Sequence, residues 1–271
     1  WHELMTVKES NEVMIPFSVA IQNVYDAWKN IDEELAEFAR NAIESGWVDA
    51  EPRENKPPGG FCAPFFSEKE SRISIRYDGS INSVRVLAHE LGHAWHFYNM
   101  SFEQSTSFLD DYLPMSTAES ASIFFETVLL NYLIETTDSK DTKKSLLSWK
   151  IRNSFNYVMA IRASYQFEKT FYEKCKEGPL SADEIEKLSI IAQKEAYGNA
   201  LSEYQPFVWM KYIQFYIADV PFYNYPYTFG YLVSFSLLEI AQEGKTTFHS
   251  KYKEFLRETG KASVEELMKK H

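Results

Sequence analysis

Two cysteines in 271 residues, Cys62 and Cys175, lie far apart in sequence. They make neither a disulfide framework nor a C-x-x-C pair, so a stapled miniature fold is excluded. No run of about 20 apolar residues occurs, and nothing resembles a secretory leader. A membrane is therefore not an expected partner, and a cytoplasmic setting is the default expectation. Positive charge is also short: 28 Lys and Arg stand against 39 Asp and Glu, a net charge of -11. Such a surface repels phosphate backbones, which argues against nucleic acid and suits cations, metal ions included. No internal repeat or low-complexity segment breaks the chain. It starts at Trp1 rather than Met, which is expected of a fragment or a processed chain.

What is present is apolar mass: 45% of residues are hydrophobic and 16% aromatic, enough for a substantial core. Phe17, Ile21, Val24, Trp28, Ile31, Leu35, Phe38 and Ala42 alternate steps of four and three. The spacing predicts one long helix between Pro16 and Gly46. A loop over 47–60 follows, then strands over Gly60–Phe66 and Ser71–Tyr77 and a turn at Asp78-Gly79. Further helices are expected at about 82–99, 117–136, 142–176 and 206–218, with a loop between the first two that ends at Pro114. Capping boxes at Ser181/Glu184 and Ser263/Glu266 open two more. Residues 221–230, P-F-Y-N-Y-P-Y-T-F-G, read as an aromatic loop. The expected fold is mainly α: a multi-helix domain with one small β-sheet beside the helix at 82–99.

That helix carries A-H-E-L-G-H-A-W-H, residues 88–96. Residues four apart share a helix face, so His89 and His93 can grip one metal ion. Glu90 then stands beside the ion without binding it. Two neutral imidazoles, an open position for water and a carboxylate base are what a zinc hydrolase needs. A chance H-E-x-x-H on an amphipathic helix would look the same, so a third ligand matters. The pattern H-E-x-x-H-x-x-G-x-x-H is missing, because Asn99 stands in its last position. His96 lies three residues after His93 and turns away from His89. Glu119 and Glu126 are seven apart, two turns along one helical face, with Ser122 between them. Against this, Ser116-x-x-Glu119 also reads as a capping box, and Glu126 as a solvated charge.

H-E-L-G-H-A-W-H followed by E-S-A-S-x-F-F-E resembles the thimet oligopeptidase and oligoendopeptidase F family of zinc peptidases. Gly46–Cys62 and Asp219–Leu232 are similar to that family's approach to its sheet and to its tyrosine-rich loop. The resemblance spans about 47–260. It implies a zincin-like catalytic domain over 1–271, with 1–46 a leading helical segment, 47–271 the metallopeptidase core, and the family's preceding helical region absent. It implies one zinc per chain held by His89, His93 and Glu119. Glu90 would be general base and then proton donor, and Glu126 would orient a ligand histidine. Tyr231 first, Tyr225 next, and Tyr223 and Tyr227 as alternates would bind the substrate carbonyl and oxyanion. Phe61–Phe66 would take the main chain of a short peptide by strand addition. Gln214 departs from the oligoendopeptidase F pattern, which has histidine there; it can donate a hydrogen bond but carries no charge. The expected function is zinc-dependent endopeptidase. The alternative is a catalytically weakened metal- and peptide-binding protein of the same fold.

Overall fold

The computed structural model describes residues 14–57, 59–100, 113–217, 219–243 and 245–271. The expected loop before Pro114 falls mostly outside them. The stretch expected as one long helix is two: α1, Phe17–Lys29, and α2, Glu33–Glu44. Asp32 causes the break. It takes an extended backbone and its carboxylate accepts the Glu34 amide at 2.7 Å, capping α2. Hydrophobic periodicity runs through the break because both helices lean on one core.

A three-stranded sheet follows, β1 (Val48–Asp49), β2 (Gly60–Phe65) and β3 (Glu70–Ile75), in the order β1-β3-β2. β1 runs parallel to β3, and β2 pairs antiparallel with it from Gly60↔Ile75 to Phe65↔Glu70. β2 is thus an edge strand. The Arg76 amide bonds the Gly59 carbonyl, which sets the alternation. Phe61, Ala63 and Phe65 bond β3, and the backbones of Gly60, Cys62 and Pro64 face the open edge. Proline, lacking an N–H, belongs on that side.

α3, Ile81–Met100, leaves the sheet and crosses α5, Ser120–Thr136. The crossing is close because of Gly92: a Cβ there would come within 2.8 Å of the Ser122 Cα. Every residue from Ser120 to Leu130 is buried, so α5 is the central helix. Trp28 and Phe125 meet with ring centroids 4.1 Å apart. α10, Lys245–Glu258, adds Phe248 and Tyr252 to the same core. α11, Val264–Lys270, follows its expected capping box.

The helix expected over 142–176 is α6, Lys140–Phe155, and α7, Ile161–Cys175, joined by a π-turn at Asn156–Ala160. α8, Ala182–Ala196, opens on the predicted Ser181/Glu184 box. Two corrections concern what comes next. Residues 206–217 form two 3-10 turns, Val208–Lys211 and Ile213–Tyr216, and not a helix. Aromatic and β-branched residues dominate there, and a step of three sets Trp209, Tyr212 and Phe215 along one face, with Trp209 and Phe215 both on Phe167. The aromatic loop ends early: α9 spans Tyr225–Glu243, so Tyr225–Gly230 is helix. The chain turns into α9 at Phe222, which has φ 58. A non-glycine residue there costs about 1–2 kcal/mol. The Phe222 amide donates to Glu168 Oε1 at 2.7 Å, an offset of about 1.5–3 kcal/mol for a bond to a charged group.

Candidate metal centre

His89 and His93 stand one turn apart on α3, and their Nε2 atoms lie 3.1 Å from each other. Glu119 Oε2 is 3.3 Å from the first and 3.5 Å from the second. A tetrahedral ion with bonds of about 2.0–2.1 Å spaces its ligands roughly 3.3–3.4 Å apart. The triangle of donor atoms therefore fits one face of such a site, and two imidazoles with a carboxylate suit a transition metal.

Glu119 is not a side-chain helix cap. It sits at a break (φ -96, ψ 6) between α4, Met115–Ala118, and α5. The break lets its side chain leave the α5 axis toward α3. Ser122, on the next turn, donates to Glu119 Oε2 at 2.6 Å. Gly230 of α9 lies against the Glu119 backbone, where a Cβ would come within 2.4 Å of the carbonyl oxygen.

Glu126 is buried, not solvated. Its Oε1 accepts from His89 Nδ1 at 2.5 Å and from Arg85 at 2.7 Å. That bond fixes the proton on Nδ1 and leaves Nε2 free to ligate. Burial alone would raise the Glu126 pKa, but Arg85 and His89 outweigh it and hold the carboxyl below its ordinary value. Arg85 was not singled out from sequence. The signal was its place four residues before His89, one turn down the same face. Its guanidinium also lies 5.7 Å from the Trp149 ring centroid.

Burial disfavours a charged His89, yet Glu119 and Glu126 overcome this and raise its pKa to about 9. Burial takes His93 down to about 4. Glu90 is 4% exposed, and burial pushes its carboxyl up to about 7, with His89 pulling the other way. Gly60 abuts it: a Cβ there would meet Glu90 Oε1 at 2.8 Å. The free edge of β2 therefore begins beside the Glu90 carboxylate.

The structure gives the tyrosines different surroundings. Tyr227 lies by Glu119: burial, then the Glu119 carboxylate and the neighbouring Tyr223, drive its phenol far above the usual range. Tyr231 points elsewhere: its hydroxyl meets Ser154 Oγ at 2.6 Å and its ring lies tilted against Tyr157, centroids 4.9 Å apart. Tyr227 and Tyr231, four apart, share a face of α9 and differ in what their hydroxyls reach, while Gly230 beside them packs on the Glu119 backbone. Tyr225 packs near Tyr165, ring centroids 6.4 Å apart. Gln214 sits in a 3-10 turn, and among the described residues no hydrogen bond ties its side chain to the metal ligands. His96 is fully buried and bonds Thr259 Oγ1 at 2.8 Å, outside the ligand triangle.

Among the described residues no helix is long and apolar enough to cross a membrane. The sequence profile of Peptidase family M3 matches residues 7–271. An oligoendopeptidase F homolog of Borreliella burgdorferi is 25% identical over 249 residues, 90% of this chain and 41% of that protein. The chromosomal oligoendopeptidase F of Lactococcus lactis subsp. cremoris is 23% identical over 261 residues, 94% of this chain and 42% of that protein. The chain thus spans about two fifths of the curated relatives it matches. The crystal structure of a candidate peptidase from Chlamydophila abortus superposes with TM-score 0.78 and 25% identity, covering 96% of this chain and 44% of that one. With the M3 profile matched from residue 7 to the last residue and oligoendopeptidases F as its relatives, this chain belongs to peptidase family M3.

Proposed function

We propose that the chain is the catalytic part of a zinc-dependent endopeptidase that hydrolyses short peptides. The observation that carries this is the 3.1, 3.3 and 3.5 Å triangle of His89, His93 and Glu119 donor atoms, with the Glu90 carboxylate buried beside it. One zinc bound there would supply Lewis-acid chemistry, polarising the scissile carbonyl and lowering the pKa of water to about 7. Glu90 takes a proton from the attacking water and returns it to the leaving amine. Its burial favours the protonated form it must pass through between the two tasks. Glu126 holds His89 in the tautomer that presents Nε2. Tyr227, with Tyr223 beside it, donates to the oxyanion as the tetrahedral centre forms. The outward backbone of Gly60, Cys62 and Pro64 receives the peptide main chain as an added strand, which lays the scissile bond alongside Glu90. Two free cysteines support a reducing, cytoplasmic setting.

Hydrolysis of a quenched fluorescent peptide by the purified protein tests the reading. Cleavage should stop with a chelator and return with added zinc. Stoichiometric zinc without cleavage of any short peptide would favour the alternative, a metal- and peptide-binding protein. Gln214, in place of the histidine the family pattern has, is the feature behind that alternative. If it limits turnover, Gln214→His raises kcat with KM and zinc content unchanged.

A further inference from the structure

Glu168 has no part in the chemistry above, yet it is a carboxylate only 5% exposed on α7. No cation pairs with it among the described residues. Burying an unpaired carboxylate is costly unless hydrogen bonds satisfy it. Its hydrogen-bond partner is the Phe222 amide at 2.7 Å, and the Tyr172 phenol, pushed up by burial and then by this carboxylate, lies one turn along. Tyr165, Glu168 and Tyr172 are three and four residues apart, one stripe along α7. The stripe clasps a single residue. The Phe222 ring centroid lies 5.2 Å from that of Tyr165 and 5.6 Å from that of Tyr172, and the carboxylate takes its amide.

Phe222 is where the backbone goes left-handed, at φ 58. The turn continues at once, with the Tyr225 amide on the Phe222 carbonyl and the Tyr227 amide on Asn224, and α9 starts. Tyr223 and Tyr227 come out of this reversal with ring centroids 6.5 Å apart, and three residues after Tyr227 the helix packs through Gly230 on Glu119. If Phe222 relaxed to an ordinary φ, Tyr223 would swing away from Tyr227. We propose that Glu168 is a positioning residue: by holding Phe222 in its left-handed turn it sets Tyr223 and Tyr227 at Glu119. The proposal rests on the peptidase reading for its kinetic consequence and on geometry alone for its structural one.

The test uses Glu168→Leu, which keeps bulk and loses the acceptor, and Glu168→Gln, which keeps an acceptor oxygen. In Glu168→Leu, hydrogen exchange at the Phe222 amide should quicken more than tenfold, and the ring resonances of 13C-labelled Tyr223 and Tyr227 should shift. Zinc content should not change. A displacement of about 1 Å costs about 100-fold, so kcat should fall roughly 10- to 100-fold with KM little altered. Glu168→Gln should stay near the parent. Phe222→Gly added to Glu168→Leu should recover part of kcat, since glycine takes positive φ without strain. Equal damage from the Gln and Leu variants, or unmoved tyrosine resonances in Glu168→Leu, overturns the proposal. Should Glu168→Leu fail to fold, exchange in the unaltered protein decides: a Phe222 amide exchanging like an open loop overturns it. A parent protein that cleaves nothing would defeat the peptidase reading, while exchange and resonances still judge the positioning.

Discussion

Glu119 is approached from two sides that are built differently. From one side come His89, His93 and Glu126, carried on α3 and α5, regular helices locked at the Gly92 crossing. From the other come Tyr223 and Tyr227, carried by a left-handed turn and the first turn of α9, and steadied by a carboxylate on α7. The first side places atoms through helix geometry and full burial. The second places them through a few hydrogen bonds around an unfavourable backbone. Metal placement should therefore resist local change, and tyrosine placement should be easy to disturb.

The largest expected effect lies on the first side. Glu90→Gln keeps shape but cannot accept a proton, so kcat should fall by about 10³–10⁴ while zinc stays bound. Elemental analysis with steady-state kinetics checks it, and near-parent turnover would remove Glu90 from the mechanism. Glu119→Ala should strip the metal, whereas His96→Ala should retain it, because His96 bonds Thr259 instead. Glu126→Ala should weaken metal affinity by about 10- to 100-fold, read by chelator competition.

The second side sharpens the comparison. Tyr227→Phe should lower kcat by about 10²-fold and leave zinc in place. Tyr231→Phe, which loses only its bond to Ser154, should cost under about threefold on the same scale. The reverse order would return Tyr231 to the oxyanion role. At the helix crossing, Gly92→Ala forces a methyl against the Ser122 Cα and should destabilise by about 1–3 kcal/mol. Thermal melting of the metal-free protein would show it. The smallest effect concerns pH. His89 must shed a proton to ligate, and its metal-free pKa is about 9. Zinc affinity should thus rise with pH, by about tenfold per unit below that value, and level off above it. A flat profile from pH 7 to 9 would contradict it.

The same contrast governs what could be read from sequence. The His89 and His93 face follows from a period of 3.6; the seven-residue spacing of Glu119 and Glu126 points to one helical face, whereas Glu119 sits at the break just before α5. Capping boxes at Ser181 and Ser263 could be found because their signals are local. The break at Asp32 was hidden, since α1 and α2 keep one apolar rhythm across it. Reading 221–230 as loop leaves Tyr225 and Tyr227 without a helical register, since α9 begins inside that stretch at Tyr225. Glu168 left no local trace: its partner lies 54 residues along the chain.

The open edge of β2 has one more consequence. A strand that offers its backbone to a peptide offers it equally to a second copy of itself, which is how sheets grow into aggregates. Pro64 limits this. Its missing N–H leaves the outward row with donors only at Gly60 and Cys62, so two such edges cannot zip along their full length. A short guest satisfied by those few positions still binds, and a long self-pairing ladder runs out of partners.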